Sequence, residues 1–208
     1  MCALTARSTG RADLWLLRGE LQRGAPLNLV VRAPSQMNSP DKSWENRLDA
    51  LWSAIDRYEP QVFVEQIELL AAELPSGSAV GSFERASAQD STGHSDLAVP
   101  LYRSALRAGL SGSRRRRATI QLASSVRNLG NASEAADLLF AEVNAVSDEL
   151  DGAVQAFLAL AFFDLGRERE AVALGLVALS KYLPRYNRSL ARYAGEIAAT
   201  PRNANGGP

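Results

Sequence analysis

The sequence predicts an all-α protein built as a solenoid of antiparallel helix hairpins, and three observations predict it. A short motif recurs: Gly93, Gly130 and Gly166 lie 37 and 36 residues apart, each with Ala seven residues before it, Ala five after it and Leu eight after it. Around and before these motifs the apolar residues return at steps of three or four, the period of a helix buried on one face. A unit of this size cannot bury its own apolar side, but stacked neighbours can, so three units in register point to a repeat array.

The elements follow in chain order. Residues 1–38 mix Gly10, Gly19, Gly24, Pro26 and Pro34 with scattered apolar residues, and only Leu14 to Leu21 (a short helix) and Leu27 to Val31 (a short strand) suggest structure. Two readings stand for this segment: translation beginning at Met37, or a flexible N-terminal arm. The helical domain is expected over 39–199. Ser39-Pro40-Asp41 opens it, with a capping hydroxyl and Pro in the first turn. Trp44, Leu48, Leu51, Trp52 and Ile55 then share one face, which assigns the two tryptophans to packing. Pro60 starts a second helix with Phe63, Ile67, Leu70 and Leu74 on its face, and Pro75-Ser76-Gly77 ends it. The pair is expected to form an antiparallel hairpin.

Three repeats are expected next, over about 79–110, 116–147 and 152–184. Each glycine sits where a helix ends in a left-handed residue, which other side chains resist. Ala86, Ala123 and Ala159, with Ala98, Ala135 and Ala171, sit where the two helices of a hairpin cross. Leu101, Leu138 and Leu174 fill the seam between hairpins, and Leu106, Val143 and Leu179, thirteen residues after each glycine, are again apolar. Pro184 closes the last repeat. A capping helix over 185–199 is expected to lay Tyr186, Leu190, Tyr193 and Ile197 on the final hairpin, with Arg185, Arg188 and Arg192 off that face. The tail, 200–208, rich in Asn, Gly and Pro, reads as disordered.

These residues carry a resemblance to the tetratricopeptide repeat family. The first repeat matches with Ala86, Gly93, Ala98, Tyr102 and Ala105; the second has Leu139 and Glu142 at the last two places, and the third has Gly175 where an aromatic is usual but keeps Ala178. The spacing is slightly longer than the family's. Within the family the arrangement looks like the bacterial group-five tetratricopeptide domain. The resemblance implies a right-handed superhelix with a concave groove lined by the first helix of each hairpin. It places in that groove Phe83, Glu84, Ser87 and Asp90 from the first repeat, Arg117, Gln121, Ser124 and Arg127 from the second, and Phe157, Leu160 and Phe163 from the third. Such a groove grades from acidic through basic to apolar and suits an extended peptide with an acidic stretch and a hydrophobic anchor. For the three apolar residues, burial against the capping helix is an equal reading.

Composition and charge exclude other classes. The chain has 208 residues with 23 basic and 23 acidic side chains, so bulk attraction to nucleic acid or anionic lipid has no support. One cysteine, Cys2, and one histidine, His94, leave no disulfide framework and no multi-cysteine or two-histidine metal site. No phosphate-cradling loop is present. His94-Ser95-Asp96 holds the residue types of a hydrolase triad, but as neighbours in a turn, where Ser95 or Asp96 is expected to cap a helix. The longest apolar run, Ala156 to Phe163, is too short to span a bilayer. No secretory-signal stretch follows the first arginines, which gives the cytoplasm as the expected compartment. The expected protein is therefore a non-enzymatic module without cofactor or metal that binds an unidentified protein or peptide, as a monomer or weak homo-oligomer.

The alternative is a nucleic-acid-associated or regulatory protein. It would use Arg114, Arg115, Arg116 and Arg117 with the C-terminal basic cluster of Arg185, Arg188 and Arg192. Four consecutive arginines on a helix point in four directions, so pairing with acids of the preceding hairpin is the competing account. For Arg117 and Arg127 the expected acidic neighbours are Glu84 and Asp90. Charge is also uneven along the chain: eight acids and three bases from Asp41 to Glu73, against five bases and one acid from Lys181 to Arg202.

Overall fold

A computed structural model describes residues 40–145 and 147–199. The expected arm, its Leu14 to Leu21 helix and Leu27 to Val31 strand, the Ser39 cap and the 200–208 tail lie outside the described residues. Among the described residues the chain is helical throughout: α1 (Lys42–Ser53), α2 (Pro60–Ala71), α3 (Ala79–Ser91), α4 (Ser95–Arg107), α5 (Gly112–Asn128), α6 (Ala132–Val143), α7 (Asp151–Asp164), α8 (Glu168–Ser180) and α9 (Asn187–Ala199). Each packs on the next in sequence. No strand occurs among these residues.

Local chemistry starts and stops the helices. The N-terminus of α1 is capped by Asp41, whose carboxylate accepts from the Trp44 backbone N–H at 2.8 Å. The helix stops at Ser53, so Ile55 falls in a 3-10 turn, Ile55–Arg57, rather than on the helix face. Pro60 occupies the first turn of α2, where its missing N–H costs nothing. The three motif glycines all adopt left-handed φ, 89° at Gly93, 88° at Gly130 and 71° at Gly166. Behind each, the next residue's N–H reaches back to a carbonyl five residues earlier: His94 to Gln89, Asn131 to Val126 and Arg167 to Phe162. This is a Schellman closure repeated three times, and it turns the chain tightly into the second helix. The expected cap on α4 is corrected: neither Ser95 nor Asp96 caps it, and His94 at the N-cap position offers no side-chain bond. On α6, Asn131 does cap, accepting from the Glu134 N–H.

Three apolar clusters form a continuous spine. Trp44, Leu48, Phe63, Ile67 and Leu70 join α1 and α2 to Ala88 of α3. Phe83, Ala86, Ala98, Tyr102, Ala105 and Leu122 join α3, α4 and α5. Ala123, Ala135, Leu139, Val154, Leu158, Ala159 and Ala171 join α5 to α8. The alanines at the hairpin crossings are buried in all three repeats, as expected where a larger side chain would hold the backbones apart. Leu101, Leu138 and Leu174 pack against the clusters, whereas Val143 and Leu179 stand largely exposed.

The layering gives the array its curvature. The first helices touch one another, α3 with α5 and α5 with α7, while α4, α6 and α8 make no comparable contact among themselves. The α3–α5–α7 layer is therefore the inner, concave side. The last step departs from this rule: α9 packs on α8 but makes no comparable contact with α7. The expected cap over the whole final hairpin is corrected accordingly. Its face is Leu190, Ala194 and Ile197, with only Ala194 fully buried. Tyr186 precedes the helix, and both it and Tyr193 are exposed. The seam gives the physical reason. The position that holds buried Tyr102 in the first repeat and buried Leu139 in the second is Gly175 in the third, where a Cβ would meet nothing within 4 Å.

Candidate functional site

The residues expected in the groove divide into three groups. Phe83, Glu84 and Ser87 are buried and present no surface to a ligand. Phe83 packs at the heart of the α3–α5 cluster. Glu84 accepts from Trp52 Nε1 at 3.0 Å and pairs with Arg114 at 3.1 Å. Burial pushes the Glu84 carboxyl above its ordinary range despite these partners. Asp90 is half-buried and accepts from Ser125 Oγ at 2.7 Å and Tyr102 OH at 3.4 Å, a bridge across α3, α4 and α5. The expected acidic end of the groove is thus corrected: its carboxylates are spent inside the fold.

The second group lines α5. Arg117 is exposed, its guanidinium 5.3 Å from the centre of the Phe83 ring. Gln121, Ser124 and Arg127 are half-buried along the same helix. Arg127 is not free: it pairs with Asp164 at 2.6 Å, an acid of the following repeat rather than Asp90 of the preceding one. That pair fixes the register of α5 beside α7.

The third group lies on α7. Phe157 is half-buried against the α5–α8 cluster. Leu160 is 44% exposed and Phe163 62% exposed, one turn apart on the inner side. Burial against α9 is not what happens to these two, because α9 sits on α8. An apolar step therefore stands open at the end of the inner face, beside the polar strip of Gln121 and Ser124 and with Arg117 further along.

The arginine run is mostly absorbed by the fold. Arg114 binds Glu45 through both terminal nitrogens at 2.9 and 2.6 Å, and Glu84 besides, so it ties α5 to α1 and α3. Arg115 reaches Glu142 at 2.8 Å. Arg116 is buried and holds Asp148, Asp151 at 2.8 Å and the Glu142 backbone carbonyl at 3.3 Å. Asp151 is held down to about 2 by a hydrogen bond from Ser147 and by Arg116. Of these four arginines, Arg117 alone keeps its guanidinium outside an ion pair with a described residue.

One feature had no counterpart in the sequence reading. Phe140 and Val143 of α6, Ala173, Leu174 and Val177 of α8, and Ala194 of α9 surround an apolar cavity of about 270 Å³. Phe140 is 58% exposed at its mouth. The signal in the sequence was the small residues Ala194, Gly195 and Ala198, which line it and are too small to fill a helix seam. Among the described residues no cluster of His, Cys, Asp or Glu is placed to hold a metal ion, and no helix is long and apolar enough to cross a membrane.

Hairpins stacked through small-residue crossings, turned by left-handed glycines and layered with the first helices innermost, define a helical-repeat protein with an open inner face. The signature of the tetratrico peptide repeat family matches residues 79–197, from the start of α3 into α9. The chain belongs to the tetratricopeptide repeat family, whose domains generally serve as non-catalytic protein–protein interaction modules. No curated protein matches the chain, and no solved structure does.

Proposed function

We propose that the chain binds a peptide segment of a partner protein along the α5–α7 stretch of its inner face, without catalysis. The observation that supports this most directly is the exposure of Leu160 and Phe163 on that face, left open by the displacement of α9. Two large apolar side chains in solvent on a rigid concave wall favour association with an apolar side chain of a partner. Ser124 and Gln121 line the next positions, and Arg117 supplies a cation for an acidic residue of the same segment. The ligand is a short segment with an apolar anchor and an acidic residue on its far side. Arg127 contributes through position, holding α5 and α7 in register by its bond to Asp164.

The test is a display selection of peptides on the folded chain, followed by titration of the selected peptide. Leu160→Ser with Phe163→Ser should weaken capture about tenfold or more, while the melting temperature stays within a few degrees. Arg117→Ala should weaken only peptides that carry the acid. Unchanged capture in the double variant would remove the reading. For the nucleic-acid alternative, Arg114, Arg115 and Arg116 are already paired, as is Arg192 with Glu196, which leaves it Arg117, Arg185 and Arg188.

A further inference from the structure

The two ends of the array differ in a way that peptide binding on the inner face does not use. At one end, α1 carries Asp49, the 3-10 turn that follows it carries Asp56, and Glu59 precedes α2, all exposed and none in an ion pair among the described residues. The same helices enclose a cleft of about 380 Å³. Ala50, Leu51, Tyr58 and Leu69 give it apolar walls, and the Arg47–Glu73 pair gives it a polar rim. At the other end, the turn from α8 into α9 carries Arg185 and Arg188, exposed and likewise without an ion pair. Between them stands Tyr186. It is 77% exposed, and with φ 66° it is the one non-glycine residue in the left-handed region among those described. Its backbone carbonyl starts α9, accepting from the Leu190 N–H at 2.9 Å and from Ser189 Oγ at 3.0 Å, whereas its ring is held out in water by a sparsely populated backbone conformation of the kind that clusters at functional sites. The first hairpin packs chiefly against α3, with Glu45 also bonded to Arg114 of α5, and the last helix packs chiefly against α8, so the two features sit at opposite ends of the described stack.

We propose that these ends are complementary and that copies of the chain associate head to tail, the Tyr186 corner of one seated in the α1–α2 cleft of the next. The cleft has the volume and mixed lining for one aromatic ring with a polar tip. Arg185 and Arg188 then flank the ring and face the unpaired acids Asp49, Asp56 and Glu59, so charges idle in the monomer become paired across the contact. Joining unlike ends generates an open chain of protomers rather than a closed dimer. The inner face of each protomer stays free, so the assembly is a multivalent form of the same module.

Sedimentation equilibrium of the intact chain across a concentration series, at about 50 mM and about 500 mM salt, tests this. The average mass should rise with concentration and rise less at high salt. Tyr186→Gly should weaken association about tenfold or more. Its melting temperature should hold or increase, because glycine takes a positive φ without strain. A charge-reversed tail, Arg185→Glu with Arg188→Glu, and a charge-reversed head, Asp49→Lys with Asp56→Lys, should each fail to associate alone. Mixed together, they should associate again. A chain that stays monomeric throughout overturns the proposal, and so does an association unaffected by these variants. Binding of a labelled single-stranded oligonucleotide that is lost in Tyr186→Gly, with the chain monomeric, would assign the corner to nucleic acid instead.

Discussion

The front of the array and its back are built from the same motif and finished differently. From α1 to α5 the seams are filled by large side chains: Trp44, Phe63, Phe83 and Tyr102 are all buried. Polar bonds cross the same seams, from Trp44 Nε1 to the Leu70 carbonyl at 2.8 Å and from Arg114 to Glu45 and Glu84. From α6 to α9 the buried residues are mostly small. Ala171, Ala173, Ala178 and Ser180 are all that α8 buries, and α9 buries Ala194. Leu139, Val154, Leu158 and Phe162 are buried there too, but other large apolar side chains, Phe140, Phe163, Val172 and Leu179, face solvent. The same hairpin geometry thus serves a closed half that carries stability and an open half that offers surface.

Variants can break or sharpen that contrast. The largest expected effect is in the front half: Phe83→Ala should destabilise by about 3–5 kcal/mol in chemical denaturation, because it empties the centre of the α3–α5 cluster. Phe163→Ala, on the open half, should cost under about 0.5 kcal/mol. A similar loss at both sites would erase the distinction.

Next is Arg116→Ala, expected to cost about 3 kcal/mol, since it leaves Glu142 and Asp148 without their buried partner. Ala123→Leu should cost about 1–3 kcal/mol by overpacking the crossing of α5 and α6. Gly175→Ala should instead stabilise by about 0.5–1 kcal/mol, because its site is open and helical. A destabilising Gly175→Ala would mean that the back seam is tighter than described.

The smallest effect concerns acid. The Asp151 carboxyl is held below its unfolded value, so the stability it lends is complete above that value and is lost as the pH falls toward about 2. Asp151→Asn should flatten the acid limb of a stability-versus-pH curve in that window. Glu84 works in the opposite sense. Its folded value is raised, so its contribution is greatest in acid and is lost as the pH climbs past the raised value. Glu84→Gln should reduce the pH dependence above the usual carboxylate range, and an unchanged curve would show Arg114 fully compensating the buried charge.

The hairpins were legible because their signals are local. Gly93, Gly130 and Gly166 announce a left-handed turn, and the alanines around them a close crossing, whatever the rest of the chain does. The inner-face residues were only half legible. Spacing from the glycine put Leu160 and Phe163 on the first helix of the third repeat, and both are exposed on α7. Spacing alone does not separate an exposed position from a buried one beside it, and Glu84 and Ser87 fall inside. Their burial depends on Trp52 and Arg114, which come from helices far away in sequence. The partner of Arg127 was expected in the preceding repeat and lies in the following one, because a long side chain at the end of a helix leans either way. The capping helix misled for a similar reason. Tyr186 shares a helical face with Leu190 only if the helix reaches back to it, and α9 begins at Asn187; Tyr193 is inside the helix and is still half exposed, because the seam beside it is not filled.

The arginines of α5 give this helix a particular place in the order of assembly. Arg114 bonds residues of α1 and α3, Arg116 the segment that leads into α7, and Arg127 the end of α7. None of these bonds forms until α5 exists, and once it does each recruits a neighbouring hairpin from one side or the other. Growth from the middle outward is then the economical route for this chain, with α9 joining last on its single helix contact. Amide hydrogen exchange should record that history in reverse, slowest in α5 and fastest in α9.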